Sequence, residues 1–255
     1  MIGVFDSGVG GLGVVGHIRR LMPTVDIVYV GDRARAPYGH RSLDEVRGYA
    51  EEIAAYLIGR GADTVVLACN TASAAALHEL RATHPTIAFV GMEPAVKPAA
   101  ELSRTGVIGV LATPATFQGE LFASVVDRFA GGARVVCQAC EGWVELVEAG
   151  DVLGPHAETA VARHLDPVVA EGADVLVLAC THYPFLEPVI RRVAGDKVTI
   201  IDPAEAVARQ TARLARAAGQ GRLEIRVTGP NAGVEELILR LTGLDHPVKT
   251  VTLGP

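Results

Sequence analysis

The sequence predicts an α/β protein of two pseudosymmetric domains with parallel-sheet cores and an active site at the domain interface. Short β-branched runs alternate with amphipathic stretches along the chain, the pattern of parallel sheets covered by helices. The stretch 61–71 (GADTVVLACNT) recurs at 172–182 (GADVLVLACTH), an offset of 111 positions. Two further markers keep the same order: Gly3-Val4-Phe5 matches Gly109-Val110-Leu111 at an offset of 106, and Glu93-Pro94-Ala95 matches Asp202-Pro203-Ala204 at 109. Markers repeated in order indicate homologous halves.

In chain order, Ile2 to Phe5 reads as a strand ending at Asp6-Ser7, and glycines 8, 10, 11 and 13 lead into an amphipathic segment, Val14 to Leu21. Asp26 to Val30 reads as a strand stopping at Gly31-Asp32, and Arg33 to Ser42 as a solvated loop that includes Arg33 and Arg35. Leu43 to Arg60 has apolar residues at helical spacing. The first cysteine strand follows, then a helix over Ser73 to Arg81 and a strand over Ile87 to Val90. In the second half, Val107 to Leu111 is a strand, Phe117 to Phe129 a helix and Ala133 to Cys137 a strand. Trp143 to Ala149 and His156 to Glu171 are helical, followed by the second cysteine strand and a strand over Val198 to Ile201. The tail adds helices at Ala206 to Ala218 and Val234 to Leu241, and strands at Leu223 to Val227 and Val248 to Leu253. The tail is expected to pack back on the first half, giving one domain of 1–94 plus 205–255 and an inserted second domain of 95–204.

Composition narrows the function classes. Of 255 residues, 49% are apolar and 20% charged, which is globular usage. A net charge of −6 offers no basic face for nucleic acid. No apolar run reaches the roughly 18 residues of a membrane helix, and the start (MIGVFD) has no signal-peptide pattern. Four cysteines in a chain this long do not make a disulfide scaffold, so a cytoplasmic setting with reduced thiols is expected.

Each repeated apolar run ends in Leu-Ala-Cys, placing Cys69 and Cys180 at the carboxyl ends of buried strands, where open α/β sheets put their ligands. Helix-compatible residues follow both, so helix N-termini are expected to lower the thiol pKa values from their usual 8.5 or so. The same N-termini supply backbone N–H groups for a carboxylate. Two opposed thiols suit removal of a proton from one face of a carbon and its return to the other. Ser7, Asn70, Thr71 and Thr181 add polar groups. A buried cysteine is often only a small apolar core residue, but two at matched positions followed by polar residues favour chemistry.

The blocks DSGVGGL (6–12), Pro37-Tyr38-Gly39, CNTASA (69–74) and CTHYP (180–184) resemble the signature blocks of the glutamate racemase family, from residue 3 to about 205 and loosely through the tail. The resemblance implies a cofactor-independent, metal-free isomerase that interconverts L- and D-glutamate and supplies D-glutamate for peptidoglycan. It also implies a homodimer. Carried over by motif, Cys69 exchanges the proton with D-glutamate and Cys180 with L-glutamate, Asp6 assists the first thiol and His182 the second. Asp32 and Glu148 match acidic positions near the family's site. Asp6, Ser7, Pro37, Tyr38, Gly39, Asn70, Thr71, Thr113, Thr116, Thr181 and His182 match substrate-holding positions. One departure is Glu141, which follows Cys140 where the family often has proline.

Alternatives stay open. Gly8-x-Gly10-x-x-Gly13 after a strand, with Asp32 ending the next, formally matches a dinucleotide fingerprint and an NAD-dependent oxidoreductase. Against it, Asp6-Ser7 puts a carboxylate where a pyrophosphate would lie. Cys137-x-x-Cys140 lacks a second ligand pair for zinc. A racemase of another acidic amino acid, or a binding protein for small acids, fits the same polar cleft.

Overall fold

Among the described residues of the computed structural model, 1–216 and 219–254, ten strands pair in parallel into two sheets. The first half runs β1 (Ile2–Asp6), α1 (Leu12–Leu21), β2 (Ile27–Gly31), α2 (Leu43–Gly59), β3 (Thr64–Leu67), α3 (Asn70–Thr83), β4 (Ala88–Gly91) and α4 (Val96–Leu102). The second runs β5 (Val107–Ala112), α5 (Pro114–Gln118), α6 (Glu120–Phe129), β6 (Arg134–Ala139), α7 (Trp143–Glu148), α8 (Pro155–Ala170), β7 (Val175–Ala179), α9 (Glu187–Ala194) and β8 (Thr199–Ile201). The tail adds α10 (Ala204–Leu214), β9 (Leu223–Val227), α11 (Val234–Thr242) and β10 (Val248–Thr250).

The sheets have the orders β10-β9-β2-β1-β3-β4 and β6-β5-β7-β8. The unit β2-β1-β3-β4 therefore recurs as β6-β5-β7-β8, and the register recurs with it. Gly3 lies opposite Val65 in the first sheet and Gly109 opposite Leu176 in the second, the same pair displaced along the chain. These repeated glycines sit where a helix crosses the sheet. A Cβ on Gly3 would come 3.0 Å from Leu57 of α2, and one on Gly109 would come 2.5 Å from Val168 of α8. The central strands β3 and β7 are buried along their length, as their continuous apolar runs demand. Two apolar clusters line the six-stranded sheet and two the four-stranded sheet.

Local chemistry sets the boundaries. Ser42 and Glu45 form a reciprocal capping box that starts α2. The helix expected over 117–129 is two helices, because Gly119 is extended (φ −75°, ψ 140°) and a Cβ there would press to 2.7 Å from Ala74. The short α4, whose Val96 and Ala99 are buried, was not expected from the sequence. The tail strand β9 pairs with β2, and α10 starts at Ala204, earlier than expected. Residues 217 and 218 of the expected helix lie outside the described residues. The last strand is shorter than expected, ending at Thr250. Among the described residues no helix is long and apolar enough to cross a membrane.

Candidate active site

The two cysteine strands end in different ways. Cys69 is the N-cap of α3, in extended backbone, and its Sγ accepts from the Ala72 N–H at 3.5 Å. Ser73, one turn on, donates to the Cys69 carbonyl (2.8 Å) and accepts from Met92 N–H (2.9 Å), tying the ends of β3 and β4 together. Cys180 does not open an α-helix, contrary to expectation. Such a helix would need an N–H from Pro184 to the Cys180 carbonyl, and proline has none. That carbonyl instead accepts from Tyr183 N–H at 3.1 Å, a 3-10 turn spans Tyr183–Leu186, and α9 begins only at Glu187.

Both thiols nevertheless face one small cavity. It is lined by Ser7, Tyr38, Gly39, Cys69, Asn70, Thr71, Thr113, Val144, Cys180, Thr181 and His182, and the room for water-molecule centres in it is about 10 Å³. Larger clefts, such as one of about 600 Å³ beside Arg47, His78 and Glu120, lie away from both thiols. Eight of the sequence-expected residues besides the cysteines line this cavity. Asp6, Asp32, Pro37, Thr116 and Glu148 do not line it, and each except Pro37 reaches it through a neighbour.

Those neighbours form four networks. Asp6 is wholly buried; its Oδ2 accepts from Gly11 N–H (2.9 Å) and its Oδ1 from the Thr181 hydroxyl (3.4 Å). Thr71, Thr113 and Thr116 form a hydroxyl triangle, with Thr71 to Thr113 at 2.9 Å and Thr113 to Thr116 at 2.9 Å, and Thr71 and Thr113 line the cavity. Asp32 accepts from the Tyr38 hydroxyl, from Arg35 Nε (2.7 Å) and from the Thr228 hydroxyl (2.7 Å). It thus holds a wall residue rather than facing the thiols. Beside Cys180, His182 Nδ1 is 3.9 Å from Sγ, and His182 Nε2 is 2.8 Å from Glu148 Oε1.

Charge states differ between the two ends. Burial pushes the Cys69 thiol well above its usual range, and the Asp6 carboxylate adds to the rise. This reverses the expected lowering: the single contact with the α3 amide opposes these effects without overcoming them. Burial likewise raises Asp6, against the pull of His182 and the Gly11 amide. For His182, burial opposes the charged form, but Cys180, Glu148 and Asp6 together raise its pKa well above the usual value. Burial also works against the Glu148 anion, yet His182, the Val9 amide and Arg33 bring it down to about 2. At neutral pH the pair is therefore imidazolium and carboxylate.

The glycine-rich turn has a use other than a nucleotide. A Cβ on Gly8 would lie 2.0 Å from Glu148 Oε1, and one on Gly10 would lie 2.6 Å from His182 Nδ1. The turn is the seat on which the second half's imidazolium–carboxylate pair rests, and Asp6 occupies the amide of Gly11, the N-cap of α1, where a pyrophosphate would bind.

Sequence reasoning missed four contributors. Val144 lines the cavity four positions before Glu148, a helical spacing that could have flagged it. Thr228 follows the carboxyl end of β9, the same position that singled out the cysteines. Arg33 and Arg35 were read as solvated; instead Arg33 Nε pairs with Glu148 at 3.1 Å and Arg35 with Asp32 and Glu52. Cys137 is exposed on β6, whereas Cys140 is buried under Trp143 and Tyr183. Among the described residues, the buried side-chain polar atoms without a partner are Arg35 Nη2 and both amide atoms of Asn70. Asn70 lines the same cavity as the two thiols.

Residues 14–211 match the family model for Asp/Glu/hydantoin racemases. A glutamate racemase of Roseiflexus sp. (strain RS-1) is 48% identical, covering 94% of this chain and 91% of its own. One from Pseudomonas putida (strain KT2440) is 50% identical over 84% of this chain and 80% of its own. The crystal structure of the Bacillus anthracis glutamate racemase isoform RacE1 superposes with a TM-score of 0.88 at 33% identity, covering 99% of this chain and 97% of that one. The Escherichia coli glutamate racemase, in complex with L-glutamate and the activator UDP-MurNAc-Ala, gives 0.88 at 30% identity, covering 100% and 98%. With its duplicated cysteine strands converging on one polar cavity, the chain belongs to the glutamate racemase family.

Proposed function

We propose that this chain interconverts L- and D-glutamate without a cofactor, moving a proton at Cα between Cys180 on one face and Cys69 on the other. The observation that supports this reading best is the pair of thiols from duplicated strands bordering a single cavity. In the L-to-D direction, the Cys180 thiolate takes the Cα proton and becomes a thiol. The Cys69 thiol, which its surroundings keep protonated, gives its proton to the opposite face and becomes a thiolate. The protonation states are then exchanged, which is the form that accepts D-glutamate for the reverse reaction. His182 serves Cys180 as acid–base partner, and Asp6 is the carboxyl group nearest in role on the Cys69 side.

The unpaired amide of Asn70 supports recognition of a polar substrate, since buried amides left without partners are rare in folded proteins. Backbone amides at the start of α3, with Ser7, Thr71, Thr113 and Thr181, would hold the carboxylates, and a site closed to water would strengthen these contacts. The cavity is too small for an amino acid, so substrate entry requires the halves to part. We read those halves as two domains, 1–94 with 205–255 and 95–204. The same reading makes the protein a cytoplasmic homodimer that supplies D-glutamate for peptidoglycan.

Incubation with L-glutamate in D2O tests the reaction. The expected result is loss of optical rotation together with deuterium at Cα of the D-product. Unchanged rotation and no deuterium entry would overturn the racemase reading.

A further inference from the structure

Glu148 is gripped from across the cleft. It lies on α7 in the second half, beside the His182 that it orients. Its Oε1 accepts from the Val9 N–H (2.8 Å) as well as meeting His182 Nε2 (2.8 Å), and its Oε2 accepts from Arg33 Nε (3.1 Å). Val9 and Arg33 both belong to the first half, one on the glycine-rich turn and the other on the loop after β2. The two oxygens therefore have separate duties. Rotation of a glutamate carboxyl about its last side-chain torsion is broad and roughly two-fold, so fixing Oε1 on the imidazole requires that Oε2 also be held. Arg33 does this through the Nε contact, and both side chains are largely buried, at 24% and 17% exposure. Such a pair is shielded better than a surface ion pair, which contributes little.

We propose that Arg33 is a positioning residue: it locks Glu148 in the orientation that holds His182 against Cys180, and it can do so only while the two halves are together. The acid–base partner of Cys180 is then assembled by closure of the cleft. An open enzyme has Glu148 and His182 in one half and their clamp in the other. This inference rests on the racemase reading and adds to it a reason why proton transfer awaits a closed cleft.

The test is a double-mutant cycle on racemisation by the full-length protein. Arg33→Ala is expected to lower kcat about tenfold, equivalent to about 1.4 kcal/mol in the barrier. Arg33→Lys, which keeps a cationic donor on a long stem, should recover most of the loss. Glu148→Gln should lower kcat at least as far, and adding Arg33→Ala to it should cost nothing more, because residues acting through one contact are non-additive. Melting temperatures of all four proteins separate a folding defect from a positioning one. Full activity in Arg33→Ala, a tenfold loss that persists in the Glu148→Gln background, or no recovery with Lys would each overturn the proposal. A wild-type protein without turnover would instead overturn the racemase reading, and this inference with it.

Discussion

The Cys69 half and the Cys180 half are the same four strands in the same order and register, yet they surround their thiols with different chemistry. The acidic Asp6, at the end of β1, has Ala112 as its counterpart at the repeat offset of 106. His182, two residues after Cys180, has Thr71 as its counterpart at the offset of 111. Each half thus has one titratable residue near its thiol and a small residue at the other position. The consequence is a buried thiol beside a carboxylate at one end and a thiol beside an imidazolium at the other. Duplication supplies two opposed positions; point differences at the strand ends decide what each does.

The sharpest way to break this comparison is to remove one thiol at a time. If the halves supply one base each, Cys69→Ala and Cys180→Ala should each lower racemisation by about a thousandfold or more, within the upper range for acid–base groups. The enantiomers have equal free energy in water, so kcat/KM must stay equal in the two directions for every variant. A difference between the halves can therefore show only in kcat and KM taken separately. A variant that keeps near wild-type turnover would mean that a single residue serves both faces.

A smaller effect is expected where the halves touch. Gly8→Ala places a Cβ 2.0 Å from Glu148 Oε1 and 2.9 Å from His182 Nε2, so the pair must shift from its place beside Cys180. Turnover should fall by about a hundredfold, within the cost of misplacing a catalytic group. Gly13→Ala meets nothing within 4 Å and should leave turnover unchanged. A nucleotide fingerprint would give another pattern, since its third glycine is needed for close packing of helix on strand. Loss at position 13 with tolerance at position 8 would count against the seat described above.

How much of this was legible beforehand follows from what each feature depends on. The strand repeat, the pairing of the thiols and the tail strand β9 rest on local apolar runs and their order, which the sequence displays directly. Glu148 was found through its motif, although the turn before it, with Gly142 in the left-handed region (φ 85°), departs from the family pattern at Glu141. The Cys69 pKa was read in the wrong direction because helix N-termini are visible in a sequence, whereas burial and a carboxylate from another strand are not. Arg33 was misread for the same reason: its partner is 115 residues away. The role of Asp32 as the holder of Tyr38 also depends on Thr228, which lies 196 residues away, and no local pattern encodes that.

The smallest effect concerns stability and separates Asp6 from Glu148 by sign. Burial raises the Asp6 pKa above 3.8 in the folded protein. A raised carboxyl pKa favours the protonated form of the folded state, so this residue's contribution to stability is greatest below pH 3.8. It is lost as pH rises through the folded pKa. Above that, the ionised carboxylate is a cost that the fold carries. Asp6→Asn removes the cost and keeps the geometry: the amide oxygen can accept from Gly11 N–H, and the amide nitrogen can donate to the Thr181 hydroxyl. Thermal unfolding should show the variant melting about 2–4 °C higher at neutral pH, the change that roughly 1 kcal/mol produces in a chain of this size, while racemisation falls. The gain should shrink as pH drops and disappear below about 3.8. Glu148→Gln should behave in the opposite way, because that carboxyl is held down to about 2. Its ionised form stabilises the fold above pH 4.5, and the difference from wild type should close only as pH falls from 4.5 towards 2. A stabilised Asp6 variant that has lost turnover, beside a destabilised Glu148 variant, would place a cost in folding on the Cys69 side and a gain on the Cys180 side. The same sign for both replacements would mean that the halves differ less in their electrostatics than their surroundings imply.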